Sequence, residues 1–173
     1  TDINLGEDEE GPLFATLVRS LPESVGFWAR LRGIPRELEE VDVLYVHGWS
    51  DYFFQKDLAR FFTKKGARFF ALDLRKYGRS LREGQTFGYT EDIRDYDAEI
   101  NASVEIIHED QPSGSSRTTA GAQQRKLVVL GHSTGGLVLT LWADRHRGVA
   151  DALVLNSPWL DLQVSGAVRR AIV

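Results

Sequence analysis

Residues 126–136 constrain the fold of this chain more than any other part of its sequence. They begin with an apolar, β-branched run at 127–130, which is typical of a buried strand, and continue as Gly-His-Ser-Thr-Gly-Gly. An apolar helical pattern follows directly at 137–143. A strand that enters a helix through so short a glycine-rich segment predicts a sharp turn, with Ser133 at its tip.

The residues of this turn suit a nucleophilic serine. Gly131 and Gly135, two positions on either side of Ser133, remove the side chains that would collide in a sharp turn. The following helix would present free amide groups and the positive end of its dipole to an oxyanion forming nearby. We therefore predict Ser133 as the nucleophile and the backbone amide of Thr134 as an oxyanion donor. A flexible turn is the alternative for the glycine pattern alone, and the flanking strand and helix argue against it.

The rest of the chain alternates between strand and helix patterns. Further buried strands are predicted at residues 41–46, 68–74 and 152–155, and helices within residues 51–65 and 93–107. Gly66 follows the first of these helices, where a helix end favours a residue that tolerates positive φ. The order predicts an α/β fold: a mostly parallel sheet with helices on both faces and right-handed crossovers.

Two segments lie outside this alternation. Residues 13–18 and 25–31 are apolar runs separated by a turn that contains proline, which predicts an antiparallel hairpin at a sheet edge. Residues 111–125 are rich in Ser, Gly, Thr and Gln without apolar periodicity, which predicts a flexible surface loop. The chain has 173 residues, which suits one globular domain, so we expect residues 1–173 to form a single domain.

Composition excludes several classes of function. The net charge is −4 and there is no basic stripe, so nucleic acid is not an expected partner. The chain has no cysteine, which rules out disulfides, a thiol nucleophile and thiolate metal sites. Residues 1–10 are polar and acidic, unlike a secretory signal, and no apolar run reaches the length of a transmembrane segment. We therefore expect a soluble, cytoplasmic protein.

A second chemical motif, His47-Gly48-Trp49-Ser50-Asp51-Tyr52, follows the strand predicted at 41–46. An oxyanion needs two donors that converge on it, and the backbone amide of Trp49 is the candidate for the second donor. His47 is expected to brace this loop by hydrogen bonding rather than to transfer protons. A purely structural turn formed by His47 and Gly48 is the alternative.

These motifs resemble the serine aminopeptidase S33 and monoacylglycerol lipase or lysophospholipase branch of the α/β-hydrolase superfamily. A third segment, residues 72–80, resembles that family's D-x-x-G-x-G-x-S, with Tyr77 departing from the usual residue. Asp73 and Arg79 are expected to brace this turn. Asn156-Ser157-Pro158-Trp159-Leu160 lies where the family has the loop after its sixth strand.

The resemblance covers about residues 40–162 and implies an α/β-hydrolase fold that lacks the C-terminal strands and the cap. It also implies the cleavage of a carboxylic ester through an acyl-Ser133 intermediate. The implied substrate is a monoacylglycerol, a lysophospholipid or a similar small acyl compound, and an amide is the alternative. The amides of Trp49 and Thr134 would form the oxyanion hole. No metal or organic cofactor is implied.

By the same resemblance, the catalytic acid and histidine of the family would lie beyond Val173. A serine hydroxyl is a weak nucleophile without a base, and none of the four histidines lies at a suitable position. Asp161 follows the strand at 152–155, where some relatives carry their acid, and a role in a loop or cap is the alternative. The chain alone is therefore expected to be weakly active or inactive. A non-catalytic binding or interaction module with the same fold is the alternative function.

Without further strands, the apolar strand at 152–155 would be an unprotected sheet edge, and such edges invite pairing. Two hypotheses follow. The chain is a fragment whose missing C-terminal part covers this strand, or the strand mediates self-association or pairing with another chain.

Overall fold

A computed structural model describes residues 1–22, 36–110 and 125–161. The strands in these residues are β1 (Asp2–Asp8), β2 (Gly11–Ser20), β3 (Val41–Val46), β4 (Arg68–Asp73), β5 (Lys126–His132) and β6 (Ala152–Asn156). The helices are α1 (Lys56–Lys64), α2 (Asp97–Glu109) and α3 (Thr134–Arg145). Short 3-10 turns lie at Gly78–Ser80 and Ile93–Tyr96.

The six strands form one sheet in the order β1-β2-β4-β3-β5-β6. The four strands from β3 to β6 are parallel, and the β1–β2 hairpin joins them through an antiparallel pairing of β2 with β4. The nearly unbroken apolar sequences of the central strands arise because a parallel strand is covered on both faces. The predicted mostly parallel α/β sheet is confirmed.

Consecutive residues of β3 enter two separate cores, because side chains along a strand alternate between the faces of a sheet. On one face Leu44 belongs to the core that contains Ile100 of α2 and Trp142 of α3. On the other face Val43 belongs to the core that contains Ala59 of α1. Helices therefore cover both faces, as predicted. None of the described helices is long and apolar enough to cross a membrane.

The edge hairpin differs from the predicted one. Residues 13–18 lie in β2 as expected, but the antiparallel partner at the edge is β1. The proposed partner at 25–31 lies outside the described residues. In β1, Ile3 is buried while its neighbours Asp2 and Asn4 are exposed, which is the alternation of a strand with one covered face.

The first helix is shorter than predicted. The helical spacing indicated a helix within residues 51–65, but α1 begins at Lys56. The preceding segment is held in a loop because the backbone N–H of Phe53 donates to the Asp73 carboxylate at 2.8 Å. Gly66 follows the helix with a φ of +99°, as its position predicted.

A buried ionic cluster closes the amino-terminal ends of the central strands. The carboxylate of Asp42 is 2% exposed and accepts hydrogen bonds from Nε of Arg68 at 2.7 Å and Nε of Arg125 at 2.8 Å. Arg68 also donates to the carbonyl oxygen of Ile107, near the end of α2. The cluster thus links β3 and β4 to a helix. Of the loop predicted at 111–125, only Arg125 lies within the described residues.

In the part of the chain that the structure describes, β6 is an edge strand. Val154 is 44% exposed and Leu155 is 37% exposed there. The predicted covering of this strand, by further chain or by self-association, stays a prediction. So does the assignment of residues 1–173 to one domain.

Candidate active site

Ser133 lies between β5 and α3, at the carboxyl end of the parallel strands. Its backbone has φ +50° and ψ −117°. Non-glycine residues rarely adopt such a conformation, which costs about 1–3 kcal/mol. The sharp reversal takes the chain from the strand into the helix and leaves the serine side chain at the tip of the turn. The structure therefore places Ser133 in the turn that the sequence predicted.

The two flanking glycines are required by packing. A Cβ atom on Gly131 would lie 2.6 Å from the carbonyl oxygen of Gly135. A Cβ atom on Gly135 would lie 2.3 Å from the carbonyl oxygen of His47. Both distances are too short for carbon and oxygen atoms in van der Waals contact. Only glycine therefore allows β5, α3 and the loop after β3 to approach each other so closely.

The loop after β3 lies directly beside Ser133. A Cβ atom on Gly48 would lie 3.0 Å from the Cβ of Ser133. Trp49 follows Gly48, and Thr134 follows Ser133 as the first residue of α3, where backbone N–H groups have no partner within the helix. Both predicted oxyanion donors thus belong to residues adjacent to this contact.

His47 is buried under this loop and makes two hydrogen bonds. Its Nε2 accepts from the backbone N–H of Leu74 at 3.1 Å, and its Nδ1 lies 2.8 Å from the carbonyl oxygen of Gly48. A ring nitrogen that accepts a hydrogen bond carries no proton, so Nδ1 is the donor to Gly48. Burial lowers the pKa of His47, which favours this neutral form. His47 braces the loop, as predicted.

The Asp73 carboxylate joins the loop after β3 to the turn after β4. It is fully buried and accepts from the backbone N–H of Phe53 at 2.8 Å and from Nη1 of Arg79 at 2.7 Å. The same Nη1 donates to the carbonyl oxygen of Phe53 at 3.0 Å. The Ser80 hydroxyl donates to the carbonyl oxygen of Asp73 at 2.8 Å. These contacts confirm the bracing role predicted for Asp73 and Arg79.

In the D-x-x-G-x-G-x-S pattern the departure lies at Lys76 and not, as predicted, at Tyr77, which falls on an unrestricted position. Lys76 occupies the position of the first glycine, and its φ of +58° is one that glycine adopts readily. Its ammonium group is buried and donates to Oδ2 of Asp8 at 2.6 Å and Oε2 of Glu10 at 2.5 Å. Hydrogen bonds from Lys76 and then Thr86 lower the pKa of Glu10 to about 2. The ion pairs attach the edge hairpin to the turn after β4.

Three aromatic side chains form an aromatic cluster at the loop after β3: Trp49, Tyr77 and Phe87. The ring of Trp49 lies 6.0 Å from that of Tyr77 and 6.3 Å from that of Phe87, between centroids. Trp49 is 56% exposed and Phe87 is 40% exposed. Gly88 permits the approach of its loop, because a Cβ atom there would lie 2.7 Å from the Tyr77 hydroxyl oxygen. Sequence reasoning missed this surface, since Phe87 belongs to no motif or periodic pattern.

The sequence has four histidines, and all of them lie within the described residues. His108 lies in the last turn of α2, and Nδ1 of His132 lies 3.2 Å from the carbonyl oxygen of Asn156. His146 stacks on Trp142 with 5.3 Å between ring centroids, at the far end of α3. That is roughly 20 Å along the helix from Ser133, at a rise of about 1.5 Å per residue.

Within the described residues, no histidine forms a hydrogen bond with the side chain of Ser133, the predicted nucleophile. Among the described residues, no side chain forms a hydrogen bond with Oγ of Ser133. Asp161 follows β6, as its sequence position indicated, and its role as an acid stays a prediction. No group of three His, Asp or Glu residues in the described ranges is arranged to hold a metal ion.

A mostly parallel sheet with a strained serine between a central strand and the following helix defines an α/β hydrolase. The sequence profile of the family described as "Serine aminopeptidase, S33" matches residues 40–172. The chain belongs to this family. None of the curated proteins matches it.

Solved structures with the same fold include two lipases and an esterase. A monoacylglycerol lipase from Paleococcus ferrophilus is 20% identical with a TM-score of 0.61, over 91% of this chain and 49% of the lipase. A soluble variant of monoglyceride lipase from Saccharomyces cerevisiae is 16% identical with a TM-score of 0.63, over 99% of this chain and 48% of the lipase. A carboxyl esterase from Bacillus coagulans is 16% identical with a TM-score of 0.62, over 90% of this chain and 43% of the esterase. The chain thus spans about half the length of these enzymes or less.

Proposed function

We propose that this chain supplies the nucleophile and the oxyanion loop of an ester hydrolase. The observation that carries the proposal is the strained conformation of Ser133 directly beside Gly48. Backbone strain of this kind persists only where the surrounding structure enforces it, and it concentrates at functional sites.

In the proposed reaction, Oγ of Ser133 attacks the ester carbonyl carbon while its proton passes to a base. The carbonyl oxygen becomes an oxyanion, to which the amides of Trp49 and Thr134 donate. Collapse of this intermediate expels the alcohol, which takes up the proton, and leaves an acyl-Ser133 ester. Water then attacks the acyl group in the same way, releases the carboxylic acid and restores the serine.

The base is proposed to be a histidine outside these 173 residues. His47 is engaged on both ring nitrogens, and His108, His132 and His146 face other groups or lie far from Ser133. A serine that lacks its base keeps only the help of the oxyanion hole and of substrate binding. We therefore expect the 173-residue chain to acylate slowly by itself.

The proposed substrate is a monoacylglycerol, a lysophospholipid or another small acyl ester. The exposed rings of Trp49 and Phe87 provide an apolar surface beside the oxyanion loop for an acyl chain. Two of the structurally similar proteins are lipases for monoglycerides and a third is a carboxyl esterase, which supports this class. Amides require the same groups and are the second substrate class to assay.

The test is covalent labelling of the chain by a fluorophosphonate, followed by intact mass measurement and peptide mapping. Free imidazole is added to supply the missing base. We expect slow labelling at Ser133 that rises with imidazole concentration, and no labelling of Ser133→Ala. Ser20→Ala is the matched control, because Ser20 ends β2, away from the nucleophile turn. Its labelling is expected to equal that of the original chain.

The same experiment distinguishes the ester hydrolase from the non-catalytic alternative. A chain that stays unlabelled at Ser133 with imidazole present, while its unfolding transition shows that it is folded, would overturn the ester hydrolase proposal. A binding or interaction module would then be the better description.

A further inference from the structure

The two backbone polar groups of Ser133 bind the last residue of β6 and the segment that follows it. The N–H of Ser133 donates to the carbonyl oxygen of Asn156 at 3.1 Å. The carbonyl oxygen of Ser133 accepts from the N–H of Trp159 at 2.9 Å. The first of these bonds continues the parallel ladder, in which His132 pairs with Asn156. The second lies beyond the ladder and depends on how the chain turns after β6.

That turn is specific in its geometry. Ser157 has a φ of +47°, which redirects the chain so that it crosses the start of α3. Pro158 then packs on Gly136, where a Cβ atom would lie 2.7 Å from the Cβ of Pro158. The ring of proline fixes its own φ and so limits the freedom of this turn. The N–H of Trp159 is therefore presented to Ser133 by a segment with little room to move.

The bond to Trp159 acts on more than Ser133 itself. The carbonyl group of Ser133 and the N–H of Thr134 belong to one planar peptide group and point in opposite directions. A donor that fixes the direction of the carbonyl group also fixes the direction of the amide. A hydrogen bond to the carbonyl oxygen further polarises the peptide group and strengthens its N–H as a donor.

We infer that the backbone N–H of Trp159 is a positioning group that orients the amide of Thr134 as an oxyanion donor. The inference rests on the proposed function, because it assigns the amide of Thr134 to the oxyanion hole. It also explains how the strained backbone conformation of Ser133 is maintained. The carbonyl oxygen of Ser133 accepts from three backbone N–H groups: that of Trp159, that of Gly136 at 3.0 Å and, more distantly, that of Leu137 at 3.4 Å.

The experiment compares Trp159→Pro with Trp159→Ala. Both variants remove the indole, but only proline removes the N–H. The readout is the rate of acylation of Ser133 in the 173-residue chain, with imidazole present, by a p-nitrophenyl ester and by the corresponding thionoester. Sulfur is a weak hydrogen-bond acceptor, so the thionoester depends little on the oxyanion hole. A change in folding alone would slow both substrates equally.

We expect Trp159→Pro to acylate with the oxygen ester about 10-fold more slowly than Trp159→Ala, with little difference for the thionoester. This is smaller than the loss of about 100-fold or more from removing an oxyanion donor outright, since Thr134 keeps its amide. The ester concentration at half-maximal rate should stay the same, because the effect lies in the transition state.

Gly136→Ala is the second variant, for the case in which Trp159→Pro does not fold. Its Cβ atom would displace Pro158 and with it the N–H of Trp159, whereas alanine is a better helix former than glycine. The same selective loss with the oxygen ester is expected. An equal oxygen-to-thiono ratio in the Pro and Ala variants, or an unchanged ratio in Gly136→Ala, overturns the inference and leaves the ester hydrolase proposal intact. Absence of acylation in the original chain contradicts the proposed function instead.

Discussion

The two ends of the parallel strands are built in different ways. At the amino-terminal end, the charged groups of Asp42, Arg68 and Arg125 are buried and paired. At the carboxyl-terminal end, each parallel strand is followed by a non-glycine residue with positive φ. These four residues are Ser50, Lys76, Ser133 and Ser157, and the described ranges contain no others of this kind.

The difference shows that the backbone strain of the described residues is concentrated at the carboxyl-terminal end of the parallel strands. A residue of this kind costs about 1–3 kcal/mol and persists when neighbouring groups hold it in place. Here the holding groups are at the same end: Asp73, the ion pairs of Lys76 and the turn at 157–159. Among the described residues, the opposite end carries paired charges and no non-glycine residue with positive φ. Ser133, the proposed nucleophile, therefore lies at the strained end, and the ion pairs of Asp42 lie at the other end of the sheet.

The largest effect on stability is expected from Gly135→Ala, which introduces a steric clash at the strained end. The new Cβ atom would meet the carbonyl oxygens of His47 at 2.3 Å and Val46 at 2.5 Å, and both belong to the backbone around the end of β3. Backbone of a central strand cannot move aside, so we expect no cooperative unfolding transition in urea. Gly84→Ala is the control, since a Cβ atom there would meet nothing within 4 Å and should cost about 1–2 kcal/mol through its positive φ. A normal transition for Gly135→Ala would show that this contact is not rigid.

The next effect is at the paired end. Asp42→Ala leaves the buried guanidinium of Arg68 without its carboxylate, which should lower the free energy of unfolding by about 3–5 kcal/mol. Asp57→Ala removes the exposed pair with Arg60 and should cost less than about 1 kcal/mol. Urea titrations measure both. Because Asp42 does not contact Ser133, the folded fraction should be labelled at Ser133 at an unchanged rate. A slower rate would show that the two ends of the sheet are not independent.

A smaller effect, of opposite sign, should appear at Ser133. Ser133→Gly removes the strain of about 1–3 kcal/mol but adds about 0.5–1 kcal/mol of backbone entropy to the unfolded chain. Its free energy of unfolding should exceed that of Ser133→Ala by about 1 kcal/mol, as measured in urea. Neither variant can be acylated at this position. Equal stability of the two would mean that the turn stores no strain.

The smallest effect concerns pH. The pKa of Glu10 is held at about 2 in the folded chain, against an ordinary value of 4.5, first by Lys76 and then by Thr86. A carboxylate with a lowered pKa stabilises the fold above its ordinary pKa, and this contribution is lost as the pH falls through the folded value. Stability should therefore decline between about pH 5 and pH 2. Lys76→Met should make this decline shallower, while Lys64→Met, at the end of α1, should leave it unchanged.

Much of the fold could be predicted from the sequence, because a strand that is buried on both faces appears as a nearly continuous apolar run. β3 spans the residues predicted for it, and Ser133 lies in the predicted turn. β1 was not predicted, because its buried Ile3 alternates with polar residues in an acidic segment. The ion pairs of Lys76 join residues more than 60 positions apart, which no local pattern reveals. The hydrogen bond between Trp159 and Ser133 joins two backbone groups, so no pattern of side chains in the sequence could predict it.

The shared carboxylate of Asp73 has a consequence for motion. The loop after β3 binds it through Phe53, and the turn after β4 binds it through Arg79. If either segment moves away, the fully buried carboxylate of Asp73 loses a hydrogen-bond partner, which costs free energy. Because both segments bind this carboxylate, the loss of one contact weakens the attachment of the other. We therefore expect the two loops to open as one cooperative unit, on the slow timescale of local unfolding rather than that of free loop fluctuation. The loop after β3, proposed to supply an oxyanion donor, should then move only together with the turn after β4, although it lies at the surface.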